Sequence, residues 1–192
     1  MAIRRDKIIV VDIEATCWDV DPPPDGQVNE IIEVGLCIYD VAVDKISGKR
    51  SILVKPHSSE VSPFCTQLTS LTPQRLNEAG IDFADTCRIL VKEYEAHKYL
   101  WVSWGGYDER LFRQQCRRLR IRYPFGKKHL NLRNAFTEFN GGGRVGMIRA
   151  LKLADLELEG MAHRGADDAW NVARLLQYLI AKRGLGFVRR VW

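Results

Sequence analysis

The sequence predicts an α/β domain of five strands flanked by helices, and three observations predict it. The apolar run Ile8-Ile9-Val10-Val11-Asp12-Ile13-Glu14 reads as a buried first strand, and two further apolar runs, residues 30–41 and 50–55, follow it with only loops between. From Thr72 onward, stretches with apolar residues at helical spacing alternate with short apolar runs, the pattern of a layered α/β fold. A chain of 192 residues with 46% hydrophobic content can bury a sizeable core, so residues 1–192 are expected to form one domain.

The elements follow in order. Strand 8–14 is left by a loop carrying Pro22-Pro23-Pro24-Asp25-Gly26, and Ser47-Gly48 reads as a turn ahead of the third strand, so the first three strands are expected to form an antiparallel meander. Thr72-Pro73 supplies an N-cap and first helical residue. After Asp82, Phe83, Cys87, Leu90, Val91 and Tyr94 recur at helical spacing. Residues 99–104 read as a buried strand, a helix starts near Tyr107, and a short strand at 129–132 leads into a helix through Phe139 that Gly141-Gly142-Gly143 breaks. Two helices, 147–156 and 166–182, finish the chain, the second with Ala169, Val172, Ala173, Leu176 and Ile180 on one face. There is no repeat, low-complexity tract or domain linker.

Composition narrows the function classes. The net charge of +5 and pI near 9.0 suit a polyanionic partner, although many ordinary proteins carry such an excess. Five widely spaced cysteines with no C-x-x-C pair indicate free thiols rather than a disulfide framework or zinc site. The opening Met1-Ala2-Ile3-Arg4-Arg5-Asp6-Lys7 leads straight into a strand and no stretch approaches membrane-spanning length, so the expectation is a cytoplasmic protein with no membrane association.

Acid spacing carries the chemistry. Strand side chains have a period of two, so Asp12 and Glu14 share a face about 7 Å apart along the backbone. Two acids at the end of an apolar strand are costly to bury, and a hard divalent cation between them offsets that cost. Asp108 lies where a strand ends and a helix begins, a place where an acid is favoured by the helix dipole whether or not it binds anything. In His163-Arg164-Gly165-Ala166-Asp167-Asp168 a histidine sits five residues before an acid at the mouth of a helix. Taken singly, this is an ordinary surface histidine ahead of two first-turn acids.

Together these features resemble the DEDDh 3'-5' exonuclease family over nearly the whole chain. Within that family the chain is similar to the subgroup of Eri-type and histone-mRNA exonucleases and bacterial relatives of the sporulation-inhibitor type. The marks are Asp12-Ile13-Glu14-Ala15-Thr16-Cys17, Glu30-Ile31-Ile32-Glu33-Val34-Gly35, Phe64-Cys65-Thr66-Gln67-Leu68-Thr69, the Trp104 to Asp108 segment, and His163 to Asp168 followed by Asn171. The resemblance implies a ribonuclease H-like fold whose mixed five-stranded sheet joins the antiparallel meander to parallel strands. It places Asp12, Glu14, Asp108 and Asp168 as ligands of two divalent metal ions, Mg²⁺ or Mn²⁺, with Asp12 between them. His163 takes the place of the general base, and histidine suits proton transfer near neutral pH. Ala15, Thr16, Leu68 and Thr69 are implied as contacts to the terminal nucleotide. The expected substrate is single-stranded nucleic acid with a free 3' end, RNA favoured by analogy, cut to 5'-mononucleotides. A DNA exonuclease, an oligoribonuclease-like enzyme, and a regulatory binding module on the same fold are the alternatives; protein partners are unknown.

Several residues invite other readings. By the His-x4-Asp spacing Asp168 is the ligand, and Asp167 supports the helix start or faces solvent. Glu33, in an apolar strand, is assigned a structural role. Arg110, Arg113, Arg117, Arg118, Arg120 and Arg122, with Lys127-Lys128, form a solvated basic face or a path for a nucleic-acid backbone. Of Trp18, Trp101, Trp104 and Trp170, at least two are expected in the core and Trp18 is the candidate for stacking. Gly106 departs from the subgroup, where a polar residue often stands two before the Asp.

Overall fold

Residues 4–191 are described by the computed structural model, and its sheet grows outward from the first strand. The strands are β1 (Arg4–Ala15), β2 (Ile31–Asp40), β3 (Lys45–Leu53), β4 (Tyr99–Ser103) and β5 (His129–Asn131), in the spatial order β3-β2-β1-β4-β5. The pairs β1/β2 and β2/β3 are antiparallel, whereas β1/β4 and β4/β5 are parallel, giving the mixed five-stranded sheet. Because β1 is central, both of its faces are covered, which is why residues 8–11 are apolar without alternation. Ile8 and Val10 pack into one core with Leu132 and Phe136 of α5 (Leu132–Asn140), Leu151 of α6 (Met147–Leu153), and Val172, Leu176 and Leu179 of α7 (Gly165–Arg183). Ile9, Val11 and Ile13 pack into the other, with Leu90 of α3 (Phe83–Lys92) and Leu111 and Phe112 of α4 (Tyr107–Arg118). A small third cluster joins Ile32 to α1 (Pro63–Thr69) and α2 (Pro73–Ala79) through Cys65, Leu71 and Leu76. No helix among the described residues is long and apolar enough to cross a membrane.

Two glycines set the distance between the sheet and α7. Gly35 of β2 lies opposite Asp12 of β1, and a Cβ at Gly35 would fall 1.7 Å from the carbonyl carbon of Gly165. The first turn of α7 therefore rests backbone to backbone on the sheet beside Asp12.

The structure corrects the sequence reading in three places. Ser47-Gly48 is no turn. Strand β3 begins at Lys45 and runs through these residues, and Gly48, at φ +68, sits where the pairing with β2 shifts register, so its backbone freedom serves an irregularity within the strand. The connection lies at residues 41–44, ended by Asp44 at φ +51, whose carboxylate accepts from the Tyr39 hydroxyl at 2.7 Å. Helices α1 and α8 (Gly186–Arg189) are additional to those predicted; α1 is capped by Ser62, which accepts from the Cys65 amide at 2.9 Å, with Pro63 as its first residue. Helix α6 stops at Leu153, three residues before the predicted end.

Candidate active site

Asp12 and Glu14 lie near the C-terminal end of β1 on the face that α7 covers. They open into a cleft of about 380 Å³ whose walls include Trp104, Tyr107, Asp108, Met147, His163 and Asp168. Three separate elements deliver the remaining groups. Asp108, in the first turn of α4, is buried and accepts from the Ile13 amide at 3.2 Å, so it is tied to the strand between the two β1 acids. Asp168, in the first turn of α7, accepts from the His163 amide at 3.0 Å. The exposed His163 precedes α7 with its backbone at φ +59, and its imidazole and the carboxylates of Glu14 and Asp168 present ligand atoms within 4.8 Å of one another.

Burial raises all four acids, and the charges of neighbouring acids add to it at Asp12, Glu14 and Asp168. Glu14 is pushed up to about 8, first by burial and then by the charges of Asp168, Glu33 and Asp108. Asp12 rises well above the carboxylate range through burial and the charges of Asp108, Asp168 and Glu14. Burial raises Asp168 to about 6 against the opposing bond from His163, and raises Asp108 against hydrogen bonds from the backbone and Ser103 and the charge of Arg133. Asp168 Oδ1 is buried without a hydrogen-bond partner among the described residues. Oxygen donors in excess of the available protein cations, one of them orphaned, are what a hard divalent cation requires, so the residues fit a metal at this place.

The sequence model of the exonuclease family RNase_T matches residues 9–176, a stretch that contains all five of these groups. The chain belongs to this exonuclease family. It is 29% identical over 185 residues to human 3'-5' exoribonuclease 1, covering 88% of this chain and 51% of that protein. The Drosophila melanogaster 3'-5' exonuclease Snipper is 26% identical over 191 residues, covering 88% of this chain and 67% of that one. The chain thus spans about half the length of the exoribonuclease it matches. Among solved structures, the nuclease domain of 3'hExo, a DEDDh family member bound to rAMP, superposes with a TM-score of 0.84 at 27% identity, covering 95% of this chain and 96% of that domain. Membership in the family carries with it the use of a divalent metal.

Around these five groups, other residues take their places less evenly. Ala15 is buried next to Glu14, and the Thr16 hydroxyl is fully buried, donating to the Val28 carbonyl at 3.0 Å and accepting from the Glu30 amide at 2.8 Å. Thr69 is also buried, its hydroxyl donating to the Cys65 carbonyl at 2.8 Å, while Leu68 and Phe64 of the same helix are exposed. Helix α1 is moored to the strand end, with the Ser62 hydroxyl donating to the Cys17 carbonyl at 2.6 Å. Asp167 stays out of the cleft wall. It accepts from the Met161 amide and pairs with Lys49. At Gly106 a Cβ would meet only Asn131, at 3.8 Å, and the bond from Ile13 to Asp108 is intact. Trp101 is wholly buried, and Trp18, Trp104 and Trp170 are half-buried.

Glu33 takes the structural role expected of it, and two further supporting residues, Glu30 and Arg133, were beyond a local reading. Glu33, fully buried, accepts from Arg164 Nε at 3.2 Å, the Gly165 amide at 3.1 Å and the Ser51 hydroxyl, so it anchors the entry to α7. Glu30, equally buried, gathers the amides of His57, Ser58 and Ser59 at 2.9 Å and the Arg118 guanidinium at 2.8 Å. Arg133 lies against Gly105, whose φ of +121 and lack of a Cβ leave room for the guanidinium, and its charge opposes part of the rise at Asp108. Two residues of the basic stripe are likewise structural. Arg118 serves Glu30, and Arg113 bonds Glu109 and stacks over Tyr123.

Proposed function

We propose that the chain is a metal-dependent 3'-5' exonuclease that hydrolyses single-stranded RNA from a free 3' end to 5'-mononucleotides. The observation that carries this reading is the convergence of Asp12, Glu14, Asp108, Asp168 and His163 from four elements on one cleft, with one buried carboxylate oxygen left without a partner. Human 3'-5' exoribonuclease 1 and the rAMP held by the 3'hExo domain support RNA as the substrate.

Asp12, Glu14, Asp108 and Asp168 would hold two Mg²⁺ or Mn²⁺ ions, which when bound lower the pKa of an attacking water and neutralise charge on the pentacovalent transition state. His163 stands at the open side of the cleft and takes the proton as the water attacks the terminal phosphodiester. Its exposure lets the imidazole return that proton to solvent before the next turnover. The phosphorus–oxygen bond to the 3' oxygen of the penultimate nucleotide breaks, and the released nucleotide keeps its 5'-phosphate. Trp104 and Met147 form apolar parts of the cleft wall and pack against the core beneath it.

A time course on 5'-labelled single-stranded RNA and DNA of matched sequence, with Mg²⁺, Mn²⁺ or EDTA, tests the proposal. A ladder that shortens from the 3' end, faster on RNA and abolished by EDTA, is expected. Faster loss of the DNA strand moves the substrate class to DNA, and both strands intact with either metal removes the enzymatic reading altogether.

A further inference from the structure

We infer that Asp167 is a positioning residue that acts through His163, an inference that rests on the function proposed above. His163 lies near the end of the connection from α6 to α7, and α7 supplies contacts that hold this connection. Gly160 and His163 both hold left-handed backbone, φ +84 and +59, and a non-glycine residue keeps that conformation only where its surroundings over-determine it.

The surroundings are the first turns of α7. Positions 167, 171 and 174 share one helix face. Asn171 Nδ2 donates to the carbonyls of Glu159 and Asp167 at 2.8 Å, and its Oδ1 accepts from the Glu159 amide at 3.1 Å. Arg174 donates to the Glu157 carbonyl at 2.6 Å and pairs with the Glu159 carboxylate at 3.1 Å. These contacts secure the connection ahead of Gly160. Beyond it, Asp167 takes over, with Oδ2 accepting from the Met161 amide at 2.9 Å. The chain lies directly on this carboxylate, since a Cβ at Gly160 would be 2.4 Å from Asp167 Cγ. Lys49, from the irregular stretch of β3, pairs with Asp167 and fixes it in turn.

Two adjacent acids therefore divide the work. Asp168 faces the cleft and takes the His163 amide, and Asp167 faces away and holds the chain two residues earlier. Without this middle anchor, the stretch between Glu159, held by Asn171, and His163, held by Asp168, keeps only the Ser70 hydroxyl's contact to the Met161 sulfur at 3.6 Å, and the imidazole loses the placement that brings it within ligand distance of Glu14 and Asp168. A displacement of about 1 Å of a reacting group costs on the order of 10²-fold in rate.

The test is single-strand RNA hydrolysis, with kcat, KM and melting temperature measured for the wild type, Asp167→Ala, Asp167→Asn, Gly160→Ala, His163→Ala and the double variant Asp167→Ala/His163→Ala. Asp167→Ala and Gly160→Ala are expected to lose kcat on the order of 10²-fold with KM within about threefold of wild type. Asp167→Asn keeps an acceptor for the Met161 amide and is expected to restore most of kcat. The double variant is expected to be no slower than His163→Ala alone, because a residue that acts through His163 has nothing left to act on. Wild-type kcat in Asp167→Ala, or losses that multiply in the double variant, overturns the inference and leaves His163 as the base. Wild-type kcat in His163→Ala overturns the catalytic reading itself.

Discussion

At the scale of single residues, the site is a set of carboxylates whose neighbours decide their separate roles. Asp168 has one oxygen on the His163 amide and the other buried without a partner, whereas both Asp167 oxygens are engaged, one by the Met161 amide and one by Lys49. Asp168→Asn is therefore expected to lower kcat by more than about 10²-fold, beyond the range for residues that only orient a ligand, and Asp167→Asn by less than about tenfold. Steady-state kinetics on single-stranded RNA check the order, and a reversal would exchange the two roles. Asp12→Ala is expected to bring hydrolysis to background and to weaken Mn²⁺ binding measured by calorimetry, since Asp12 is the acid whose charge meets Asp108, Asp168 and Glu14 together. The acids were legible in sequence because strand period and His-x4-Asp spacing are local patterns. Glu30 and Glu33 were not legible in the same way: their partners Arg118 and Arg164 are 88 and 131 residues away, and no local period marks such a pair.

At the scale of elements, the site depends on how closely α7 approaches the sheet. Gly35 and Gly165 meet without side chains, and this contact brings Asp168 down beside Asp12. Gly35→Ala places a methyl inside the Gly165 backbone, which cannot yield as a flexible side chain would. The variant is expected to lose about 3 kcal/mol or more of unfolding free energy in urea titration, and activity with it. Near-wild-type values for both would mean that α7 can slide outward without cost. Long apolar runs and strong helical spacing made β1, β2, α3, α4 and α7 readable. Helix α1 escaped because seven residues give barely two turns of periodicity, although Ser62-Pro63 carries the same cap chemistry recognised at Thr72-Pro73. Gly48 misled because a left-handed glycine serves a strand irregularity as well as a turn, and only the pairing with β2 tells which.

At the scale of the whole molecule, the fold gathers four acids where burial raises the pKa of each, and that makes stability depend on pH and on metal together. The sheet order that gathers them is a property of long-range pairing. Family resemblance supplied the mixed character of the sheet but not its order, because five apolar runs do not state which strand lies at the centre. Glu14 rises from an ordinary 4.5 to about 8 and Asp168 from 3.8 to about 6, with Asp12 raised in the same direction. Between the ordinary and raised values the folded protein binds more protons than the unfolded chain, so stability falls as pH rises through this window. In EDTA the melting temperature is therefore expected to be lower at pH 8 than at pH 5.5, measured against Glu14→Gln, in which the slope is shallower. Cations bind the deprotonated acids, so Mg²⁺ or Mn²⁺ is expected to raise the melting temperature more at pH 8 than at pH 5.5. A metal-free melting temperature that climbs from pH 5.5 to 8, with the same slope in Glu14→Gln, would show that the folded protein holds these carboxylates ionised without a cation. The charge frustration at the end of β1 would then have no part in the requirement for metal.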